Sequence, residues 1–494
     1  MKFKYILSVI AIVAFTQNTF AQYSQDAVRF SQTTTGTTSR IKAVGGAGTA
    51  IGGDLSNVSG NPAGLGFFTR SEFSITPGYD NNKTEANYLN NKTTTTRNNF
   101  NLNNAAIVIY NQLTKPAGAD KNKGWLSANY GVSFSRTNNF NQNIRYSGNN
   151  GSSSINNYFA SQANQFGIDE GSLAGWAYDH NLIDAYNLGT TPPTSEYRAN
   201  NLGSTAQEAI YNRSGSQSSV DFSVGANYSN KLYLGFSLNF TDIKYNSYNS
   251  FYEDGNVSVL EGGAPVNRGY NSAYSQNQAT TGTGFSAKLG VIYKPVEAVR
   301  LGATITSPTF YNIDDIYYES LSSKVGSNST INNASPDYQL NYNLRTPLRL
   351  AGGAAVFIKS FGFITGDVEY VDYGTTHLSS NDNYNADRID NPDIKGLYKS
   401  AINAHIGAEA RVNSFFLLRG GYGIQGDARK DNGSDIKTVS GGIGLRFGQY
   451  YVDGTYAHSS GKQNLFPYDI GTNSPAAMLR NTSNNGYLTF GYRF

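Results

Sequence analysis

Four histidines, a group of aspartates and one glycine-rich hexapeptide are the parts of this chain whose types could do chemistry. His180, His377, His405 and His458 lie far apart and lack the spacing of metal ligands; only His405 falls on a strand face expected to turn inward. Asp382, Asp387, Asp390 and Asp393 could offer a calcium ion the carboxylate oxygens it prefers, but a solvated acidic loop accounts for them better. Gly421-Tyr422-Gly423-Ile424-Gln425-Gly426 has the glycine spacing that cradles a dinucleotide pyrophosphate, yet that use requires a helix directly after it. Asp427–Gly433 reads as a hairpin loop instead. No Gly-x-Ser-x-Gly elbow is present, and the absence of cysteine removes thiolate nucleophiles, disulfides and Cys-ligated metals. These residues point away from an enzyme and imply neither a metal nor a cofactor.

The elements that would have to position any site are more informative. Among 494 residues there are 53 Gly, 36 Tyr and 27 Phe, only 38% are hydrophobic, and 38 basic against 35 acidic side chains leave a net charge of +3. Without a basic block there is no grip for nucleic acid phosphates. Lys2 and Lys4 precede an apolar stretch from Tyr5 to Phe15, and Thr19-Phe20-Ala21 resembles a cleavage site, so residues 1–21 read as a secretory signal peptide. That stretch is too short for a membrane helix, which needs about 20 apolar residues. Downstream, alternation with period two dominates. Leu232, Leu234, Phe236, Leu238 and Phe240 share one face of a strand while Tyr233, Gly235, Ser237 and Asn239 share the other. The small or polar faces of such segments also carry Arg300, Asp367, Glu369, Glu409, Arg419, Arg446, Asp453 and Arg493. An apolar outside with a charged inside predicts an all-β transmembrane antiparallel barrel with a polar lumen.

Strands are expected near 71–78, 101–110, 124–137, 219–229, 231–247, 282–294, 298–311, 345–358, 361–373, 399–410, 415–425, 437–447, 450–459 and 485–494, about fourteen, with the barrel spanning 71–494. Tight turns such as Ser229-Asn230 and Gly448-Gln449 alternate with connections that read as long polar loops. The longest, at about 139–218, reads as an extracellular lid. Its middle carries Phe166, Ile168, Leu173, Trp176 and Leu182, which suggest one or two short helices, whereas 141–160 and 190–218 have the composition of disordered loop. Residues 22–70 show no strand alternation and are long enough to fill the lumen as a plug, or hatch. Glu409 and Arg419 face one another across the turn at 412–414 and should pair.

Several of these segments together resemble the FadL family of outer-membrane transporters for long-chain fatty acids and other hydrophobic compounds. The resemblance lies in the run Ala43-Val44-Gly45-Gly46-Ala47-Gly48 with Asp54 and Asn61-Pro62-Ala63-Gly64-Leu65, in Leu301–Pro308, in Gly407–Arg411 with Leu418–Tyr422, and in the closing Gly491-Tyr492-Arg493-Phe494. It implies a bacterial outer-membrane location amid lipid and lipopolysaccharide, insertion by the barrel assembly machinery, a hatch containing Asn61, Pro62 and Ala63, and passive, hatch-gated uptake of a fatty acid or hydrocarbon. Capture would fall on Phe166, Leu173, Trp176 and Leu182 of the lid, and Arg300, Glu409, Arg419 and Arg446 would be lumenal charges. In the family the ligand leaves sideways through a gap made by a kinked third strand; here Trp125–Arg136 offers only Gly131 as a break. The competing expectation is a barrel of the same architecture that serves as a non-transporting scaffold in protein secretion or surface attachment.

Overall fold

The computed structural model describes residues 20–34, 36–116, 120–187, 195–380, 384–430 and 433–494. Most of the expected signal peptide, and Asp382, lie outside them. Fourteen antiparallel staves close into one barrel. In chain order they are β1 (Glu72–Tyr88), β2 (Asn91–Ile109), β3 (Trp125–Asn139, continued by Gln142–Asn150), β4 (Asn201–Tyr228), β5 (Leu232–Glu261) and β6 (Ala264–Val296). There follow β7 (Val299–Thr306 and Phe310–Val325), β8 (Tyr338–Arg345 and Arg349–Ile358), β9 (Gly362–Asp372), β10 (Ser400–Arg411), β11 (Phe416–Gln425), β12 (Ile436–Phe447), β13 (Tyr450–Leu465) and β14 (Ala477–Arg493). β14 pairs with β1 from Arg493↔Glu72 to Met478↔Asn87 and closes the ring. Every expected strand is present.

The alternation places the residues as physics requires of a barrel in lipid. On β5, Leu234, Phe236, Leu238 and Phe240 are exposed on the outer face while Tyr233, Ser237 and Asn239 are buried in the lumen. Ile402, Ile406, Val439, Ile443, Leu488 and Phe490 repeat the pattern on other staves. Such a belt would be an aggregation hazard in water and is what a hydrocarbon layer selects. No helix among the described residues is long and apolar enough to cross a membrane. The turn at Ser229-Asn230 has φ of 55° and 54° at both central residues, the primed geometry whose twist matches the flanking strands.

Several expected loops are strands. Residues 79–100 continue β1 and β2 to a two-residue turn at Leu89-Asn90, and 248–281 continue β5 and β6 to Gly262-Gly263. Gln142–Asn150 and 201–218, read from composition as disordered, are paired strands as well. Composition misleads here because both faces of these extensions lack a continuous apolar stripe; they are held by cross-strand pairing of Thr, Asn, Ser and Tyr instead. At 33 residues and about 3.3 Å each, β6 is far longer than the ten or so residues that cross a membrane. β4 to β7 therefore build a tower on one side of the outer rim, while β10 to β12 end near it.

Inside and above the barrel lie the remaining elements. α1 (Phe20–Ser31) and α2 (Ser39–Ala43) sit within the lumen, followed by 3-10 turns at Leu55–Asn57 and Pro62–Phe67. α3 (Ile155–Phe166), α4 (Leu173–Asp179) and a small hairpin of Ile183–Asn187 with Ser195–Ala199 form a cap. Its core joins Ile155, Phe159, Leu173, Trp176 and Leu182 to Tyr88 and Tyr146 of the wall. α5 (Asp390–Leu397) closes over α1.

Candidate functional site: plug, seam and upper chamber

The lower lumen is filled by residues 36–68, and the barrel wall is cut to receive them. Asn61 begins the 3-10 turn that follows it: its side-chain oxygen accepts from the Ala63 N–H at 3.1 Å, with Pro62 at the first turn position, where its missing N–H costs nothing. The Asn61 amide nitrogen donates to the Thr49 carbonyl at 2.7 Å and to Val291 of β6 at 3.3 Å, tying plug to wall. Ala63 is fully buried. A Cβ at Gly235 would collide with the backbone of Pro62 and Ala63, and one at Gly407 with the backbone of Val44. Small residues on the lumenal face thus form a belt that the plug backbone touches directly.

Charge fastens the same contact. Glu409 lies opposite Arg419 in the β10–β11 register and meets it at 2.6 Å. From there the chain of ion pairs runs to Asp453 at 2.7 Å and on to Arg446 at 2.9 Å. Arg40 of α2 completes it by reaching Glu409 at 2.8 Å, so a plug residue is bound into a wall network. Arg419 has no exposed side-chain surface, and leaving any member unpaired would be costly in so dry a place. Arg300 stands apart from the network, donating to the Ile51 carbonyl and held between the rings of Phe67 and Phe357, 4.2 and 4.0 Å from their centres. All four lumenal charges named from the sequence are thus spent on structure or on the plug. His405 lies over Gly46 of the plug, and the Gly421–Gly426 hexapeptide runs along β11 into a loop.

One seam of the barrel is incomplete. β2 and β3 share a backbone ladder only where Asn104–Ile109 faces Tyr130–Ser135. Above it β3 slips register between Arg136 and Asn138, and the plug itself enters the gap. The Thr34 N–H donates to the Thr137 carbonyl at 2.9 Å, and the Asn104 amide donates to Gly36 at 3.4 Å. Gly36 is pressed so closely between Arg136 and Asn103 that a Cβ would lie 2.6 Å from one carbonyl oxygen and 2.9 Å from the other. Farther out the two staves are joined by side chains: Asn91 donates to Ser147 at 3.2 Å, and the hydroxyls of Thr93 and Thr95 donate to Arg145 and Asn143. Gly131, the break visible in the sequence, accommodates the Val58 and Leu65 side chains of the plug, and the irregularity lies five residues beyond it.

Above the plug, around α1, is a cavity of about 430 Å³. Asn82, Asn139, Gln142, Arg213, Gln425 and Asn481 are among its walls, beside Val28, Phe140, Tyr245 and Ile436, so amides and hydrocarbon share the lining. Over α1, the Asp390 carboxylate accepts from the Ser24 N–H at 3.0 Å and from the Tyr384 hydroxyl. Burial pushes the Asp390 carboxyl up to about 7, and no metal-sized cluster of acids or histidines exists among the described residues. The four lid residues named from the sequence come together in the cap but take different places. Leu173, Trp176 and Leu182 are buried in its core, while Phe166 at the end of α3 is half-buried. The plug–wall glycine contacts and the β2–β3 gap were not read from the sequence; they are sums over distant segments.

A transmembrane β-barrel closed by its own N-terminal segment is the class these features define. No family model matches the chain, and no curated protein matches it in sequence. In fold it is similar to a Pseudomonas aeruginosa FadL homologue, with a TM-score of 0.53 and 12% identity over 94% of this chain and 98% of that one. It is also similar to a deletion mutant of the TodX monoaromatic hydrocarbon channel (TM-score 0.51, 12% identity, 93% and 99% of the two chains) and to the CymD monoaromatic hydrocarbon channel (0.50, 12%, 93% and 97%). The chain has the FadL-type fold.

Proposed function

We propose that this protein is an outer-membrane transporter that admits small hydrophobic compounds passively and releases them sideways through the β2–β3 seam. The observation that carries the reading is the seam: six ladder pairs below, side-chain bonds above, and between them two points of the plug, Thr34 and Gly36, bonded to the staves where a ladder would be. A hydrocarbon loses about 0.8 kcal/mol per CH₂ exposed to water, so a route from lumen to lipid serves it better than one into an aqueous compartment. Withdrawal of Thr34 and Gly36 from the two staves would open that route without unpairing any β2–β3 ladder. The hatch role of Asn61, Pro62 and Ala63 is to hold the lower plug while the upper segment moves. Capture belongs to the cap, with Phe166 as the accessible member and Leu173, Trp176 and Leu182 as its support. A fatty acid and a monoaromatic hydrocarbon both fit this route.

One observation favours the scaffold reading instead: Asn82, Asn139, Gln142 and Asn481 interrupt the apolar part of the lining of the chamber over the plug, and amides offer a hydrocarbon little. The two readings separate in one experiment. Protein purified in mild detergent is extracted and its lipids identified by mass spectrometry, and proteoliposomes are assayed for uptake of a fatty acid and of toluene. Uptake that rises or falls in the Asn61→Ala, Pro62→Ala variant supports transport. An empty lumen, no uptake by either protein and co-purifying secretion proteins would replace it by the scaffold.

A further inference from the structure

Around the outside of β4 to β8 runs a groove of about 1070 Å³ that the transport reading does not use. Its lower lip is aromatic: Phe240, Phe285 and Phe310 are 53%, 57% and 46% exposed. Phe310 lies eleven residues above Val299 at the inner end of its stave, which at about 2.5 Å of height per tilted residue puts it near 28 Å, the top of the apolar band. The upper lip changes character within two residues, to Thr283, Asn312 and Asn343. At the β8 end stands Arg345, exposed, beside His377 in the ladder, and without a hydrogen-bond or ion-pair partner among the described residues. One acid lines the groove, Asp242 at the β5 end, three strand spacings or about 14 Å away, and Asp387 stands 3.8 Å from His377 at its edge. The groove forms where the wall itself is broken, at Ser307-Pro308-Thr309 and Thr346-Pro347-Leu348, since proline cannot donate to a ladder.

From this we infer that the groove is a binding site for a phosphorylated glycolipid of the outer leaflet, of the lipopolysaccharide kind. Acyl chains lie on the three phenyl rings, sugar hydroxyls meet the amides and hydroxyl of the upper lip, and a phosphate takes the Arg345 guanidinium. A phospholipid would leave the upper-lip amides bonded only to one another, as Asn312 is to Asn343 at 3.4 Å, whereas sugar hydroxyls can add to them, which is why the glycolipid is the better fit. The inference rests on the outer-membrane placement of the barrel but not on what the barrel carries.

Native mass spectrometry of the detergent-purified protein with added lipid A bearing both phosphates tests it, with dephosphorylated lipid A and phosphatidylglycerol as the other arms. The expected result is one retained diphosphorylated lipid A, with retention about tenfold lower in Arg345→Gln and partly restored in Arg345→Lys. Equal retention by wild type and Arg345→Gln, or equally tight phosphatidylglycerol, overturns the site. Arg345 is exposed, so the variant should stay folded, verified by heat-modifiable migration; uptake measured on the same samples shows separately whether the transport reading stands.

Discussion

The β7–β8 break and the β2–β3 seam interrupt the wall of this barrel and are sealed in opposite ways. At the β7–β8 break the prolines interrupt both staves at one height, yet backbone bonds resume at once: the Thr346 N–H donates to Thr309 at 3.0 Å and the Ser307 N–H to Ala287 at 2.9 Å. At the β2–β3 seam no proline intervenes, but the ladder stops at Asn104 and the closure comes from the N-terminal segment. The first is a defect repaired within the wall, the second an opening occupied by a part that is not wall. A stave can separate only where its closure is not a ladder, so the seam is the place to look for motion.

The comparison can be broken most forcefully from below. Replacing Gly235 by Leu puts side chain into the backbone of Pro62 and Ala63, so the plug cannot seat; planar-bilayer conductance should rise from near zero to that of an open pore. Gly352→Leu, where nothing lies within 4 Å, should leave conductance unchanged. A pair of cysteines at Thr93 and Arg145, in a chain that has none of its own, should lock the seam on oxidation and reduce uptake at least tenfold, with recovery in reductant. The matching pair at Thr309 and Thr346 should change nothing. If both pairs behave alike, the seam is not the exit.

A smaller effect is expected from charge. Arg419→Gln leaves Glu409 to Arg40 alone and Asp453 to Arg446 alone in a dry site and should lower the barrel's stability by about 3 kcal/mol, read as an earlier heat-modifiable transition. Arg40→Gln, which strips only the plug's link, should cost less but raise conductance. The smallest effect concerns α1. Because burial lifts the Asp390 carboxyl to about 7, the folded state holds a proton that the unfolded chain releases near pH 4. That contribution is complete below about pH 4 and is lost as pH rises through 7. Hydrogen exchange of α1 should therefore quicken from pH 5 to 8, and Asp390→Asn should flatten the dependence.

Much of the architecture was legible in the chain because a strand in lipid must alternate, and Leu232–Phe240 or Leu488–Phe494 could hardly alternate otherwise. The tower was not, since Asn- and Thr-rich strands with two wet faces leave no apolar stripe to read. Trp176 shows the same limit at the cap: an apolar residue in a polar loop announces burial, but not whether a ligand or the loop itself does the burying.

What the sequence determined alone is therefore what depends on near neighbours: about fourteen staves and the side that alternating residues face. What the tertiary structure decided depends on segments brought together across the ring. Gly36 against Asn103 and Arg136, Arg40 against Glu409, and Arg345 at the end of a row of phenyl rings are such meetings. The physical reason is that alternation is a local consequence of the pleat, whereas which wall a plug touches, and where a ladder ends, is set by closure of the whole barrel.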